Sequence, residues 1–503
     1  MSRAAAATRL TAFNAVRLAA NPLLYLGLGL STTLVYVTLG YYPWPHALDV
    51  HNTTETVAVV VAATMFAVTT FPALREVRYS GVFVAPLGRT GRLLSLLAAA
   101  ALVTVVCQAA MTAVCHWAAG GGLPGMVSPY ARATPFALAL VGPAAGVAVA
   151  GWTRSYVQLI VPVILAPAYY LYVNTALVSV GPQMVSRVES MATRAVNPFQ
   201  VMSPQITVLS AYYLGYVLLV LGVFVAVALA ARPRRGAARG AAFGAAAVLL
   251  AGAVATPAYA NTTYGWDRRF PDSALYGGDS TRCEVREAIT YCPLPGFEPW
   301  VDTWHATLSE PLGFLPEQAQ DRFPVVWQDG PGFSRMLNLP PGRGVVVFTG
   351  ASPDDPFFRS DLRNQAARTV FGLHSDFEGW CWATGQARLP LTYWLATVGA
   401  DDGEPDPFIG YHLASFGPSA ADLEVARALE ETPAERVAEV LAGHWEELNA
   451  PGTPTTELAS LLGLPVTAEA AGVATEAEWR EHYPEYVFEP EYDLPEESAP
   501  TCG

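Results

Sequence analysis

Seven runs of apolar residues in this chain are long enough to cross a bilayer, at 22–42, 56–74, 93–117, 134–152, 157–177, 207–230 and 240–259. A helix needs about 20 such residues to span the hydrocarbon layer. After residue 260 the pattern changes to short runs broken by polar and turn residues. Strand-like runs are Glu284–Cys292, Phe323–Gln328 and Gly344–Gly350. Helical spacing appears at Pro299–Phe314, Phe358–Leu373, Leu423–Glu430, Thr455–Leu464 and Thr475–Tyr483. The clearest helix signal is Thr432-Pro433-Ala434-Glu435, which predicts a capping box and a helix to about Asn449. A mixed α/β body over 281–400 and a helical portion to 485 are expected, then an acidic, proline-rich tail over 486–503.

Charge sharpens this division. Residues 1–260 hold 15 Arg against four acids, a net of +11, whereas residues 261–503 hold 14 Arg against 39 acids, a net of −25. Of the chain, 52% is hydrophobic and only 14% charged, and the mean hydropathy is +0.29. The arginines between the spans are unevenly placed. Twelve fall on the connections that share a side with the N-terminus, and three (Arg132, Arg187, Arg194) on the others. The positive-inside rule therefore predicts a cytoplasmic N-terminus and, with seven spans, an extracellular C-terminal half of a cell-membrane protein.

The seventh span is the least obvious. Its segment, RPRRGAARGAAFGAAAVLLAGAVATPAYA (Arg232–Ala260), has the basic flank, apolar middle and Ala-Tyr-Ala end of a cleavable signal. The arginine count favours a span, with cleavage after Ala260 as the alternative. Its small residues Gly240, Gly244, Ala247 and Gly252 are expected to let it pack closely on the other helices. At the other end, Arg9–Pro22 reads as a weakly amphipathic helix. Leu10, Phe13, Val16 and Leu18 would lie at the headgroups, with Arg9 and Arg17 toward phosphates.

All 29 basic residues are arginine. Without lysine there is no phosphate-binding P-loop, no Schiff base and no Ser-Lys mechanism. No Asp or Glu falls deep in an apolar run, which argues against a proton-driven carrier.

The N-terminal half resembles the transmembrane subunit of a type-2 ABC exporter, a permease with six spans. The likeness covers about residues 9–232 and rests on architecture. A basic interfacial helix enters span one through Asn21-Pro22-Leu23-Leu24. A basic, amphipathic connection, Ala73–Ser95, follows span two. A short connection at Trp152–Tyr156 follows span four, and a longer one, Val178–Gln205 with Asn197-Pro198-Phe199, precedes span six. The resemblance implies that Arg75, Glu76, Arg78, Tyr79, Val82, Phe83 and Pro86 form the coupling segment for a separate cytoplasmic ABC ATPase. It also implies a second permease copy, or a similar permease, as dimer partner. ATP and Mg²⁺ would bind the ATPase, and this chain itself would carry no cofactor. Span five would line the translocation path through Tyr169, Asn174 and Thr175; an aromatic belt is the alternative for its tyrosines.

The predicted fold class is thus a polytopic α-helical membrane protein: an interfacial helix (1–21), a six-span permease core (22–231), a seventh span (232–260) and an extracytoplasmic mixed α/β domain (261–485). Cys107 and Cys115 fall in span three as small apolar residues. Cys283, Cys292, Cys381 and Cys502 are disulfide candidates. Cys283 and Cys292 flank one strand-like run, and Cys381 with Cys502 would tie the tail to the body; spacing alone does not decide the pairing. His374, Asp376 and Glu378 make the one tight His/acid cluster, a candidate metal or catalytic site against a default of no metal. His-Glu-x-x-His and Gly-x-Ser-x-Gly are absent. The expected activity is ATP-driven export of a lipid, peptide or antibiotic-like molecule, with ATP hydrolysis in the partner and contacts to membrane lipid but not to nucleic acid. The alternatives are a membrane-anchored extracellular sensor or assembly protein, and an anchored hydrolase.

Overall fold

The computed structural model describes residues 3–41, 46–79, 87–120, 123–153, 207–231, 237–263, 283–329, 344–348, 356–373, 381–399, 416–468, 471–484 and 501–502. The chain divides into two compact units, Met1–Gly278 and Asp279–Gly503.

The first unit is a bundle of α1 (Arg3–Ala19), α2 (Pro22–Tyr41), α3 (Ala47–Tyr79), α4 (Arg89–Ala118), α5 (Pro129–Thr153), α6 (Thr207–Ala230) and α7 (Ala237–Thr263). Among the described residues, six helices, α2 to α7, are long and apolar enough to cross a membrane. The expected span at 157–177 lies outside the described residues. The break between α1 and α2 has a local cause: the Asn21 side chain accepts from the Leu23 N–H at 3.0 Å, and Pro22 takes the first helical position.

Helix α3 sits at the centre, against α2, α4 and α5. Its 33 residues make it roughly 50 Å long at 1.5 Å per residue, so it extends well past its apolar run. Its closest neighbour is α5, and the approach depends on two glycines one turn apart. A Cβ on Gly142 would fall 1.9 Å from the Ala62 carbonyl oxygen, and one on Gly146 2.7 Å from that of Phe66. Small residues four apart bring membrane helices together in this way.

Helix α7 belongs to the same bundle and lies on α6. Ala246, Ala253 and Ala260, seven residues apart, form its buried seam. At its start the Arg239 guanidinium stacks over Trp152 at 5.5 Å, and Trp152 Nε1 donates to the Val227 carbonyl at 3.2 Å. Near its end Tyr259 meets Tyr212, with ring centroids 5.8 Å apart. The expectation for its small residues needs correction. Among the described residues, Gly240 and Gly244 meet no side chain or backbone within 4 Å, whereas Gly252 meets the Leu219 side chain. The seam that packs is the alanine line, because seven residues make two near-whole turns. Helix α1 corrects a second expectation. Phe13 and Val16 are exposed, but Leu18 is buried in the bundle core rather than at its surface.

The second unit carries a four-stranded sheet, order β1 (Glu284–Arg286), β2 (Ile289–Cys292), β3 (Val325–Asp329), β4 (Gly344–Phe348). β1 and β2 are antiparallel, joined by Glu287 and Ala288, both at positive φ (48° and 66°). β2, β3 and β4 run parallel. α8 (Trp300–Gly313) connects β2 to β3, and α9 (Pro356–Val370) follows β4. The rest is helical: α10 (Arg388–Thr397), α11 (Ala420–Glu430), α12 (Ala434–Leu448), α13 (Thr455–Leu462) and α14 (Glu476–His482). The capping box expected at Thr432 does not form. Pro433 is the N-cap residue, and the Thr432 hydroxyl donates back to Ala428 O at 2.8 Å. Pro433 is thus one residue ahead of the first helical position, which leaves Thr432 outside the cap. True capping boxes lie at Ser419/Asp422 and Thr475/Glu478.

Candidate functional site at the α3–α4 connection

The segment singled out for contact with an ATPase leaves α3 at its arginine-rich end. Arg75 is exposed there and Glu76 is half-buried. Arg78 and Tyr79 occupy the last turn of α3. Val82, Phe83 and Pro86 lie outside the described residues. The residue missing from the expected set is Arg92. Its Nε donates to Glu76 Oε2 at 2.8 Å, and its Nη1 donates to the Leu87 carbonyl at 3.2 Å. The arginine side chain is 10% exposed and the glutamate 38%. One guanidinium therefore closes the base of the connection from both sides. In sequence, Arg92 is one more positive charge before an apolar run. Its pairing depends on α3 and α4 lying side by side, which their sixteen-residue separation does not reveal.

The opposite end of α3 carries a second polar group of residues. The His46 and Asp49 side chains cap the helix start reciprocally: the Asp49 N–H donates to His46 Nδ1 at 3.2 Å, and the His46 N–H to Asp49 Oδ2 at 3.1 Å. His51 Nε2 lies 3.4 Å from Glu55 Oε1, one turn on. Because α3 begins at Ala47, Glu55 is inside the helix, in its third turn. Deeper in the bundle, Gln108 Nε2 donates to the Thr54 carbonyl at 3.4 Å while its Oε1 has no partner among the described residues.

Tyr169, Asn174 and Thr175 lie outside the described residues, as do His374, Asp376 and Glu378. The four cysteines of the second unit are paired, Cys283 with Cys292 and Cys381 with Cys502; Cys107 and Cys115 are buried free thiols. Besides its disulfide, Cys502 is held by its own N–H, which donates to Trp382 O at 2.8 Å, and by Arg388 Nη2, which donates to its carbonyl at 2.8 Å. Arg388 is almost fully buried, and burial, with Arg322 nearby, pulls its pKa down.

Two polar clusters of the second unit escaped notice in the sequence. The buried Asp422 carboxylate accepts from Gly385 N and Ser419 N, both at 2.7 Å, from Ser419 Oγ at 2.8 Å, and from Thr455 Oγ1. Burial pushes its pKa up, against the pull of these donors. It joins three chain segments, so it is a structural hub. Second, His305 Nδ1 is hydrogen-bonded to the Tyr291 hydroxyl at 3.2 Å, and its Nε2 lies 3.8 Å from Glu287. Tyr291 is fully buried, and burial raises its pKa; it cannot present a nucleophile to solvent. No three His, Cys, Asp or Glu side chains group as a metal site among the described residues.

Comparison with protein-family models, with curated proteins and with solved structures finds no match to this chain. The architecture and the site's own chemistry must carry the functional reading.

Proposed function

We propose that this chain is the membrane-spanning subunit of an ATP-driven ABC exporter. In this reading a separate cytoplasmic ATPase docks on the α3–α4 connection, and two permease copies form the transport unit. The observation that carries it is the base of that connection. It places exposed Arg75 beside a partly buried Glu76–Arg92 pair at the end of a central helix. Charged groups at a helix end offer a protein partner both contacts and leverage. The chain contains no lysine and so no P-loop; in this reading ATP and Mg²⁺ would bind the partner. Among the described residues, five helices of the expected permease core and the added span α7 are of membrane length, and helix α1 precedes them, in keeping with this reading. The cargo class is a lipid, peptide or antibiotic-like molecule. The C-terminal unit, stapled by two disulfides, belongs on the oxidising side, where it would cap the exit or receive cargo.

Purification of the full chain in mild detergent tests this. A P-loop ATPase should co-purify, and Arg75→Ala with Arg78→Ala should uncouple its ATP hydrolysis from transport. A chain that brings down no ATPase overturns the proposal.

A further inference from the structure

Arg92 lies one turn into α4 and holds two things at once. One edge of its guanidinium grips Glu76 near the end of α3, and the other holds Leu87, the first described residue after the connection. The planar fork fixes both directions together, which a flexible ammonium would not. The pair is backed by packed core: Ala73 and Leu74 on α3, Leu93 and Leu96 on α4 are all buried. The arginine is nearly desolvated, so its attraction to Glu76 exceeds that of a surface pair. α3 is locked in turn to α5 through Gly142 and Gly146, where no side chain could be accommodated without separating the helices.

We infer that Arg92, with Glu76, is the joint through which a push on the α3–α4 connection at Leu87 becomes movement of α3 and α4, and through α3 of α5. The inference rests on the proposed ATPase-coupling role of this connection and names the residue that transmits it. Arg92 is a positioning residue: its partners are Glu76 and Leu87. A loop without such a joint would absorb displacement in its own backbone.

Two label pairs on the full chain in lipid nanodiscs test this, with Cys107→Ala and Cys115→Ala to remove the free thiols. The first pair, Arg75→Cys with Gly88→Cys, reads the joint itself by pulsed electron spin resonance. Arg92→Gln should broaden its distance distribution about twofold. Glu76→Gln, which leaves the Leu87 bond in place, should broaden it less. An unchanged distribution in Arg92→Gln, with the melting temperature retained, overturns the joint. The second pair, Trp117→Cys with Tyr130→Cys, lies at the far ends of α4 and α5 and reads transmission in the co-purified ATPase complex on adding ATP and vanadate. Arg92→Gln should cut the shift by about half or more while the ATPase stays bound. An undiminished shift overturns the inference and leaves the functional proposal standing. If no ATPase co-purifies, the functional proposal falls, and transmission by Arg92 falls with it.

Discussion

The two units of this chain are held together by different means. The first packs helix on helix through absent side chains: Gly142 and Gly146 let α5 meet the backbone of α3 directly. Its outward faces keep large apolar groups exposed, such as Leu26, Val37, Val106 and Val248. The second buries large side chains, including Trp304, Trp394 and Trp479, and adds a carboxylate and a guanidinium in its interior. The difference follows from the solvent each was built for. In lipid, apolar surface gains little by burial, so close van der Waals contact must hold helices together. In water, burial of apolar area is the main driving force, and buried charges survive only with partners.

If that contrast is right, perturbations should separate the units. Reduction should act on the second unit alone. The Cys381–Cys502 bond spans 121 residues, a loop whose closure is worth about 5 kcal/mol in the chain-entropy treatment. A dithiol reductant should lower the melting transition of the second unit and leave that of the bundle in place; a shift of both equally would refute the division. Conversely, Gly142→Ala should cost about 1–3 kcal/mol in the bundle by overpacking, whereas Gly240→Ala, which meets nothing among the described residues, should be neutral or slightly stabilising. Equal effects in a thermal denaturation series would show that glycine spacing is not what holds α5 to α3.

Smaller effects sharpen the picture of the second unit. Ala288 occupies the left-handed region at φ 66°, which costs a residue with a Cβ roughly 1–2 kcal/mol. Ala288→Gly should recover about 1 kcal/mol of that in a urea titration; a loss would mean the turn is not strained. The smallest effect concerns acid. The Thr475 hydroxyl and N–H hold the Glu478 carboxyl below its ordinary range. Its folded pKa is lowered, so its contribution is present above the ordinary carboxylate pKa and fades as pH falls through the folded value. Exposure keeps this cap to under about 1 kcal/mol. Amide-exchange protection in α14, taken relative to the intrinsic exchange rate at each pH, should fall between neutral pH and about pH 3. Glu478→Gln should flatten that response, and an unaltered profile would remove the cap's role.

The sequence was most legible where one dimension carries the signal. Asn21-Pro22 marked the start of α2, and Ala-rich 240–259 marked a membrane-length helix despite its signal-like end. The helical runs Thr475–Tyr483 and Pro299–Phe314 followed from periodicity, and the helices observed there are Glu476–His482 and Trp300–Gly313. Legibility failed where partners are distant in sequence. Arg92 was counted as one more arginine, because its meaning lies in Glu76 on another helix. Asp422 lies just ahead of the helix expected at Leu423–Glu430, and nothing local shows that it gathers Gly385 and Thr455 from remote segments. Gly142 and Gly146 were passed over in favour of Gly240 and Gly244, because spacing shows which residues share a face but not which face meets a neighbour.

Alone, then, the sequence determined a membrane half and a disulfide-bearing half, the positions of most helices, and a charge asymmetry of +11 against −25. Those follow from solvent preference and helical period, which act along the chain. The tertiary structure decided that α3 is the central helix and that α7 docks through its alanine line. It also paired Cys381 with Cys502 and gave Arg92 hold of both ends of one connection. These depend on which surfaces touch, and close contact between remote segments is fixed only when the chain is folded in three dimensions.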